Sequence, residues 1–238
     1  MNTLNNKNYI TLLKYGFCFL VFLLFSITLT AQPGIKGGMA VSALQASGED
    51  YTPFLGYEVS WLQDGTSNPV FGLQLGAFYT LKISDEFIFQ PELYFVQRGY
   101  QFDQTPLYDI NYSLGINYLE LPLLIEYYLP LDWGFHPAII VGPYLSTKLI
   151  SNKKIKLMDE ELNGEVSSVN SFDYGIVFGI ATEFAAWEGD IIFDLRVNWG
   201  FANVLSQPSD FISINDDPGT VKTRAVTLMA GYRFNIDL

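Results

Sequence analysis

The sequence predicts an all-β fold, an eight-stranded antiparallel up-and-down transmembrane β-barrel behind an N-terminal signal peptide. Three observations predict it. Eight segments alternate apolar and polar residues with a period of two. The connections between them alternate long and short. The chain is also apolar and poor in charge, yet its mature region has no run of the about 18 apolar residues that a spanning helix needs. Hydrophobic residues make up 49% and charged residues 16%, against roughly a quarter charged in soluble domains.

The N-terminus is read first. Lys7 and Lys14 precede an apolar run from Tyr15 to Leu29, and Thr30-Ala31-Gln32 follows. This is the order of a secretory signal, with the cut placed after Ala31. A membrane anchor helix is the alternative, and the Pro33-Gly34 break argues against it. Residues 1–31 are therefore assigned to the leader and residues 32–238 to the barrel. Cys18 lies within the apolar run of the leader, so the mature chain has no cysteine and neither a disulfide nor a thiol nucleophile. The formal net charge of -12, made more negative by loss of the two leader lysines, disfavours nucleic acid as a partner.

The strands follow from side-chain alternation, since neighbouring residues of a strand point to opposite faces. Between Asp190 and Ala202, Ile191, Phe193, Leu195, Val197, Trp199 and Phe201 share one face. Asp194, Arg196, Asn198 and Gly200 share the other. The last segment repeats this, with Val226, Leu228, Ala230, Tyr232, Phe234 and Ile236 against Thr227, Gly231, Arg233 and Asn235. Six more segments read alike: Gly34–Leu44, Val70–Lys82, Phe87–Arg98, Ile116–Leu129, Phe135–Lys148 and Phe172–Ala186. They cover the about 9–11 residues of a tilted membrane strand.

The connections set the topology. Gln45–Pro69, Gly99–Gly115, Leu149–Ser171 and Val204–Lys222 are long. Ile83–Glu86, Pro130–Gly134 and Trp187–Gly189 are short. Long outer loops alternating with short periplasmic turns is the order of an outer-membrane barrel. Phe54–Leu62 also reads as strand. Because single-chain bacterial barrels have even strand numbers, it is assigned to a ribbon in the first outer loop, with ten strands as the alternative. The polar face is thin in Lys and Glu, so it is expected inside and the apolar face in lipid, the reverse of a soluble barrel. Trp133, Phe135, Phe184 and Trp187 at the short-turn end are expected to form the periplasmic aromatic girdle.

These residues also carry a family likeness. Gly34-Ile35-Lys36-Gly37-Gly38, Gln90-Pro91-Glu92-Leu93, Asn117-Tyr118-Leu119-Glu120-Leu121-Pro122-Leu123-Leu124, Gly142-Pro143-Tyr144-Leu145 and Gly231-Tyr232-Arg233-Phe234 occur in this order. From Gly34 to its end the chain resembles the PorT-like outer-membrane β-barrel family common in Bacteroidetes. That resemblance implies an eight-stranded barrel in the outer membrane. It implies no reaction, and the secretion role of PorT is not carried over.

An eight-stranded barrel has room for side chains to fill its interior. The charges expected inward are Lys36, Lys82, Glu92, Arg98, Glu120, Glu126, Lys148, Asp173, Glu183, Asp194, Arg196 and Arg233. Buried charges must be paired, so a lumen network is expected around Arg196 and Arg233 with Glu92, Glu120, Glu126 and Asp194. Its structural role is a plug of ion pairs; a selectivity lining or proton relay is the functional alternative.

Catalysis finds little support. His136 is the only histidine, and no serine motif frames it for a triad or a metal site. Glu92 with Glu120 are read as ion-paired rather than as a general acid and base. There is no P-loop, dinucleotide fingerprint or zinc spacing. Asp210, Asp216 and Asp217 are read as solvated loop acids rather than a calcium site. No catalytic residue, cofactor or metal is expected. Outer-membrane lipid is the expected partner. Other envelope proteins are expected to bind through outer loops or periplasmic turns, with Phe54, Tyr57, Trp61, Tyr108 and Tyr112 as an aromatic contact surface. A small porin and a lipid-modifying barrel enzyme are the alternatives.

Overall fold

The computed structural model describes residues 31–47, 68–104, 110–131, 135–157, 160–166, 169–204 and 220–235. Among the described residues, nine strands run in chain order. They are β1 (Gln32–Ser47), β2 (Asn68–Lys82), β3 (Phe87–Gln104), β4 (Ile110–Tyr128), β5 (His136–Leu157), β6 (Glu160–Glu165), β7 (Phe172–Ala186), β8 (Gly189–Gly200) and β9 (Thr220–Phe234). Every pairing is antiparallel.

Eight of the nine close the barrel. β1 to β5 pair in sequence, β5 passes over β6 to pair with β7, and β7 to β9 follow in sequence. β9 then returns to β1, in register from Gly34↔Arg233 to Ser47↔Thr220. The even count expected from the sequence therefore holds, and no barrel strand is left with an open edge. β6 is the ninth strand and pairs with β5 alone, Asn152↔Glu165 to Leu157↔Glu160. It makes a ribbon in the third outer loop.

The faces are those the alternation predicts. On β8, Leu195 is 44% exposed while its neighbour Arg196 is 2% exposed. An apolar residue left open beside a buried arginine is the inverse of a soluble protein. The outward set includes Ile35, Leu75, Leu93, Leu121, Val141, Ile180, Leu195 and Leu228, which is the apolar band of a barrel in hydrocarbon. At the short-turn end, ring pairs mark the interface: Phe135 with Phe184 at 5.9 Å, Trp187 with Tyr232 at 6.4 Å, and Phe87 with Tyr127 at 4.9 Å.

The strand ends depart from expectation. The pattern ends β5 at Lys148, yet it runs to Leu157; it starts β4 at Ile116, yet it begins at Ile110. Beyond the apolar band the strands continue to pair, as in Tyr112↔Ile155 and Phe102↔Tyr112. Backbone pairing needs no apolar face, so alternation alone understates them. Lys82 is also corrected. It sits at the β2–β3 turn with its side chain 60% exposed, 2.9 Å from Asp85, because at the strand end an ammonium reaches water. Several expectations lie outside the described residues: the leader through Thr30, the ribbon at 54–62, Trp133, and the loop residues Tyr57, Trp61, Tyr108, Asp210, Asp216 and Asp217.

Candidate functional site

The barrel interior concentrates the polar chemistry of the chain. Among the described residues, Lys36, Arg98, Arg196 and Arg233 are buried cations, and Glu92, Glu120, Glu126, Asp173, Glu183 and Asp194 are buried carboxylates. They occupy three levels along the barrel axis.

The middle level holds Lys36 of β1, Glu92 of β3, and Asp194 and Arg196 of β8. Arg196 grips Glu92 with both Nη atoms, Nη2 to Oε1 at 2.9 Å, and its Nη2 lies 2.8 Å from Asp194 Oδ2. Lys36 Nζ is 2.9 Å from Asp194 and 3.4 Å from Glu92. Two cations and two carboxylates thus neutralise one another, which is what burial demands. The register explains how Lys36 fits. Its cross-strand partner is Gly231, where a Cβ would come within 2.3 Å of Lys36 Cγ. Glycine there lets the lysine stem lie flat. Gly34 does the same for Phe78, its partner on β2, and Phe78 in turn sits 4.6 Å beneath the Lys36 ammonium.

The outer level is centred on Arg98 of β3. It pairs with Glu120 of β4 and lies 3.3 Å from Asp173 of β7. Ser146 donates to Glu120 Oε2 at 2.8 Å, and Asn198 donates to Oε1 at 3.2 Å. Tyr144 donates to Asp173 at 3.2 Å. Above this level the interior turns apolar. Leu44, Leu114, Ile116 and Val221 pack with Val166, Val169 and Val204 from the third and fourth outer connections. Lys148 Nζ donates to Val169 O at 2.6 Å and Ser151 donates to Val166 O at 2.6 Å, which ties the loop into the mouth.

The inner level faces the periplasm. Arg233 Nη2 lies 2.9 Å from Glu183 and 2.8 Å from Asp190. Tyr128 donates to Glu183 Oε2 at 3.0 Å. Arg233, Glu183 and Tyr128 line a vestibule of about 1100 Å³ between the short turns, together with Gln32, Thr80 and the exposed His136. At its rim, outside the membrane, the Lys82 ammonium hydrogen-bonds Asp85 and holds its carboxyl below the usual range.

The expected network is therefore partitioned. Glu92, Asp194 and Arg196 share one level. Glu120 belongs to Arg98, and Arg233 belongs to Glu183 and Asp190. No ion pair reaches Glu126 among the described residues. It accepts from Gln90 at 2.7 Å and lies 3.3 Å from the Tyr128 hydroxyl. Sequence reasoning placed Arg98, Asp173 and Glu183 inside without assigning partners, and missed Asp190. The Asp190↔Arg233 register spans a long connection, so the sequence held no signal for it. Among the described residues no group of three or more His, Cys, Asp and Glu side chains could hold a metal ion.

Sequence comparison agrees with this architecture. The family described as outer membrane protein beta-barrel domain matches residues 25–206, more than half of the 238 residues. The chain belongs to that family. Membership in this outer-membrane β-barrel family places it in the bacterial outer membrane, where the apolar band meets lipid. No curated protein matches the chain. Solved structures similar to it include OprG of Pseudomonas aeruginosa, at 16% identity over 87% of this chain and 97% of that one, with a TM-score of 0.42. Ail of Yersinia pestis shows 14% identity over 86% and 99%, with a TM-score of 0.33. Neisserial surface protein A shows 14% identity over 87% and 99%, with a TM-score of 0.40.

Proposed function

We propose that this chain is a non-enzymatic outer-membrane barrel that binds another envelope component through its parts outside the hydrocarbon layer and conducts no solute. The observation that carries this reading is the length of β5. At 22 residues it is about twice the 9–11 needed to cross, and the surplus forms the β4–β5–β6 ribbon. A paired ribbon presents ordered side chains outside the membrane. Lys153, Lys154 and Lys156 lie on β5, and Glu160, Glu161 and Glu165 lie opposite on β6. Lys154 and Glu161 are 2.8 Å apart and both stay half-exposed. The three ion-paired levels and the valine layer support a lumen filled by side chains.

The same reading includes export with cleavage after Ala31, leaving residues 32–238 as the barrel. It also includes placement in the PorT-like branch of Bacteroidetes, supported by the motifs from Gly34-Ile35-Lys36 to Gly231-Tyr232-Arg233-Phe234. The test is to replace residues 153–163 by a two-residue turn and to cross-link intact cells. Loss of cross-linked envelope partners is expected, with the barrel still inserted. Unchanged cross-links, or steady large single-channel conductance from the purified protein in a planar bilayer, overturn the reading.

A further inference from the structure

Among the described residues, Glu126 of β4 is the buried lumen carboxyl with no cation in ion-pair contact. It is 2% exposed. The charges that act on it are Lys36 of β1, Arg196 and Asp194 of β8, and Glu92 of β3, two of each sign, and they are engaged with one another. Towards the periplasm stand Tyr128 of its own strand, Glu183 of β7 and Arg233 of β9, the last two paired. An ionised carboxylate here would keep a single good hydrogen bond, from Gln90, and no cation in direct contact among the described residues. Burial in that state costs several kcal/mol.

The hydrogen-bond count decides the state. Gln90 Nε2 has two hydrogens and uses both, one to Glu92 Oε1 at 2.8 Å and one to Glu126 Oε1 at 2.7 Å. The Tyr128 hydroxyl has one hydrogen and lies between two carboxyls, 3.0 Å from Glu183 Oε2 and 3.3 Å from Glu126 Oε2. One hydrogen cannot serve both. Given to Glu183, the shorter contact, it leaves two oxygen lone pairs facing each other at Glu126 unless Glu126 supplies a hydrogen of its own.

We propose that Glu126 is a proton-binding site, a neutral carboxylic acid whose Oε2–H donates to Tyr128 and whose proton exchanges with the periplasmic vestibule alone. Release moves the Glu126 proton to the Tyr128 oxygen as the Tyr128 proton passes to Glu183 Oε2. The proton count is unchanged, and the negative charge moves from Glu183 to Glu126. Glu183 then loses the proton to the vestibule it lines. The route stops on the outer side of Glu126, because Gln90 presents an amide that has no acidic proton to pass on to Glu92. The site is a one-sided store, reached from the periplasm and closed to the outer face by the Arg98 level and the valine layer.

Infrared spectroscopy of the full mature chain in lipid vesicles at neutral pH tests this. A neutral carboxylic C=O band is expected. It should shift in protein labelled with carboxyl-13C glutamate and vanish in Glu126→Gln. In Tyr128→Phe the band should remain, and its shift on transfer to D2O should slow at least tenfold. Absence of the band from the unsubstituted protein overturns the proposal, even if Glu126→Gln fails to insert. So does a band unmoved by glutamate labelling, or equal exchange rates with and without the Tyr128 hydroxyl.

Discussion

Lys36 lies flat across Gly231, its cross-strand partner on the closing strand, and so brings its ammonium to 2.9 Å from Asp194. A side chain at residue 231 would take the space that the lysine stem occupies. Gly231→Val should therefore cost about 1–3 kcal/mol by overpacking. Urea titration of the folded barrel in lipid vesicles measures it. Gly37, whose Cβ would meet the tip of the Leu75 side chain at 3.2 Å and the Gln74 carbonyl at an ordinary 3.7 Å, is the control, and Gly37→Ala should change stability far less.

The middle level predicts an asymmetry between single and double replacements. Arg196→Met leaves Glu92 and Asp194 with Lys36 as their shared cation, and should cost about 3–5 kcal/mol. Adding Glu92→Leu should restore a large part of that loss, because the second charge is removed with the first. Additive losses in the same urea experiment would contradict the pairing of Arg196 with Glu92.

On the lipid face, depth sets the cost. Leu195 is mid-strand on β8 and exposed, whereas Phe234 is the last residue of β9. Leu195→Arg should destabilise by about 2–4 kcal/mol and Phe234→Arg by about 0–1. Equal costs would mean that the apolar band does not coincide with the hydrocarbon.

At the periplasmic rim, the Asp85 carboxyl is held below its ordinary range by Lys82. A lowered value favours the folded turn above the unfolded carboxyl's range and loses that advantage as pH falls through the folded value. Both groups are exposed, so the effect is weak and is screened by salt. In Lys82→Ala, the carbon resonance of Asp85 followed by NMR should titrate at higher pH than in the unsubstituted protein. An unmoved titration rules the pairing out.

The third outer connection is held by Lys148, which donates to Val169 O. Lys148→Met keeps the stem and removes the donor. Protease added to intact cells should then cleave the segment near Val169 faster, with the barrel uncut. Cleavage at the unsubstituted rate would show that the valine packing alone holds the loop.

What the sequence made legible was what depends on one strand at a time. Alternation marks which face of β8 carries Asp194 and Arg196 and which carries Leu195, because the period of two is local. Partner choice inside the lumen is different. It depends on the stagger between strands distant in the chain, which sets Arg98 level with Glu120 and Asp173 and leaves Glu126 between levels. Register across Val204–Lys222 has no local signal, so the Asp190–Arg233 pair was illegible. The ribbon was expected at 54–62, which lies outside the described residues. The one described, β6, is Glu-rich and lacks the apolar alternation that marks membrane strands.

Closure by β1 and β9 gives the chain an assembly rule. These strands lie at opposite ends of the sequence, 191 positions apart at the Gly38↔Met229 partners and adjacent in the wall. Until β9 docks, β1 and β8 each present a row of unpaired amides and carbonyls, which hydrocarbon cannot satisfy. A sheet lacking its last strand has no resting place in the bilayer. Insertion and closure must therefore coincide, and the final hairpin serves as the clasp whose arrival commits the whole wall to the membrane.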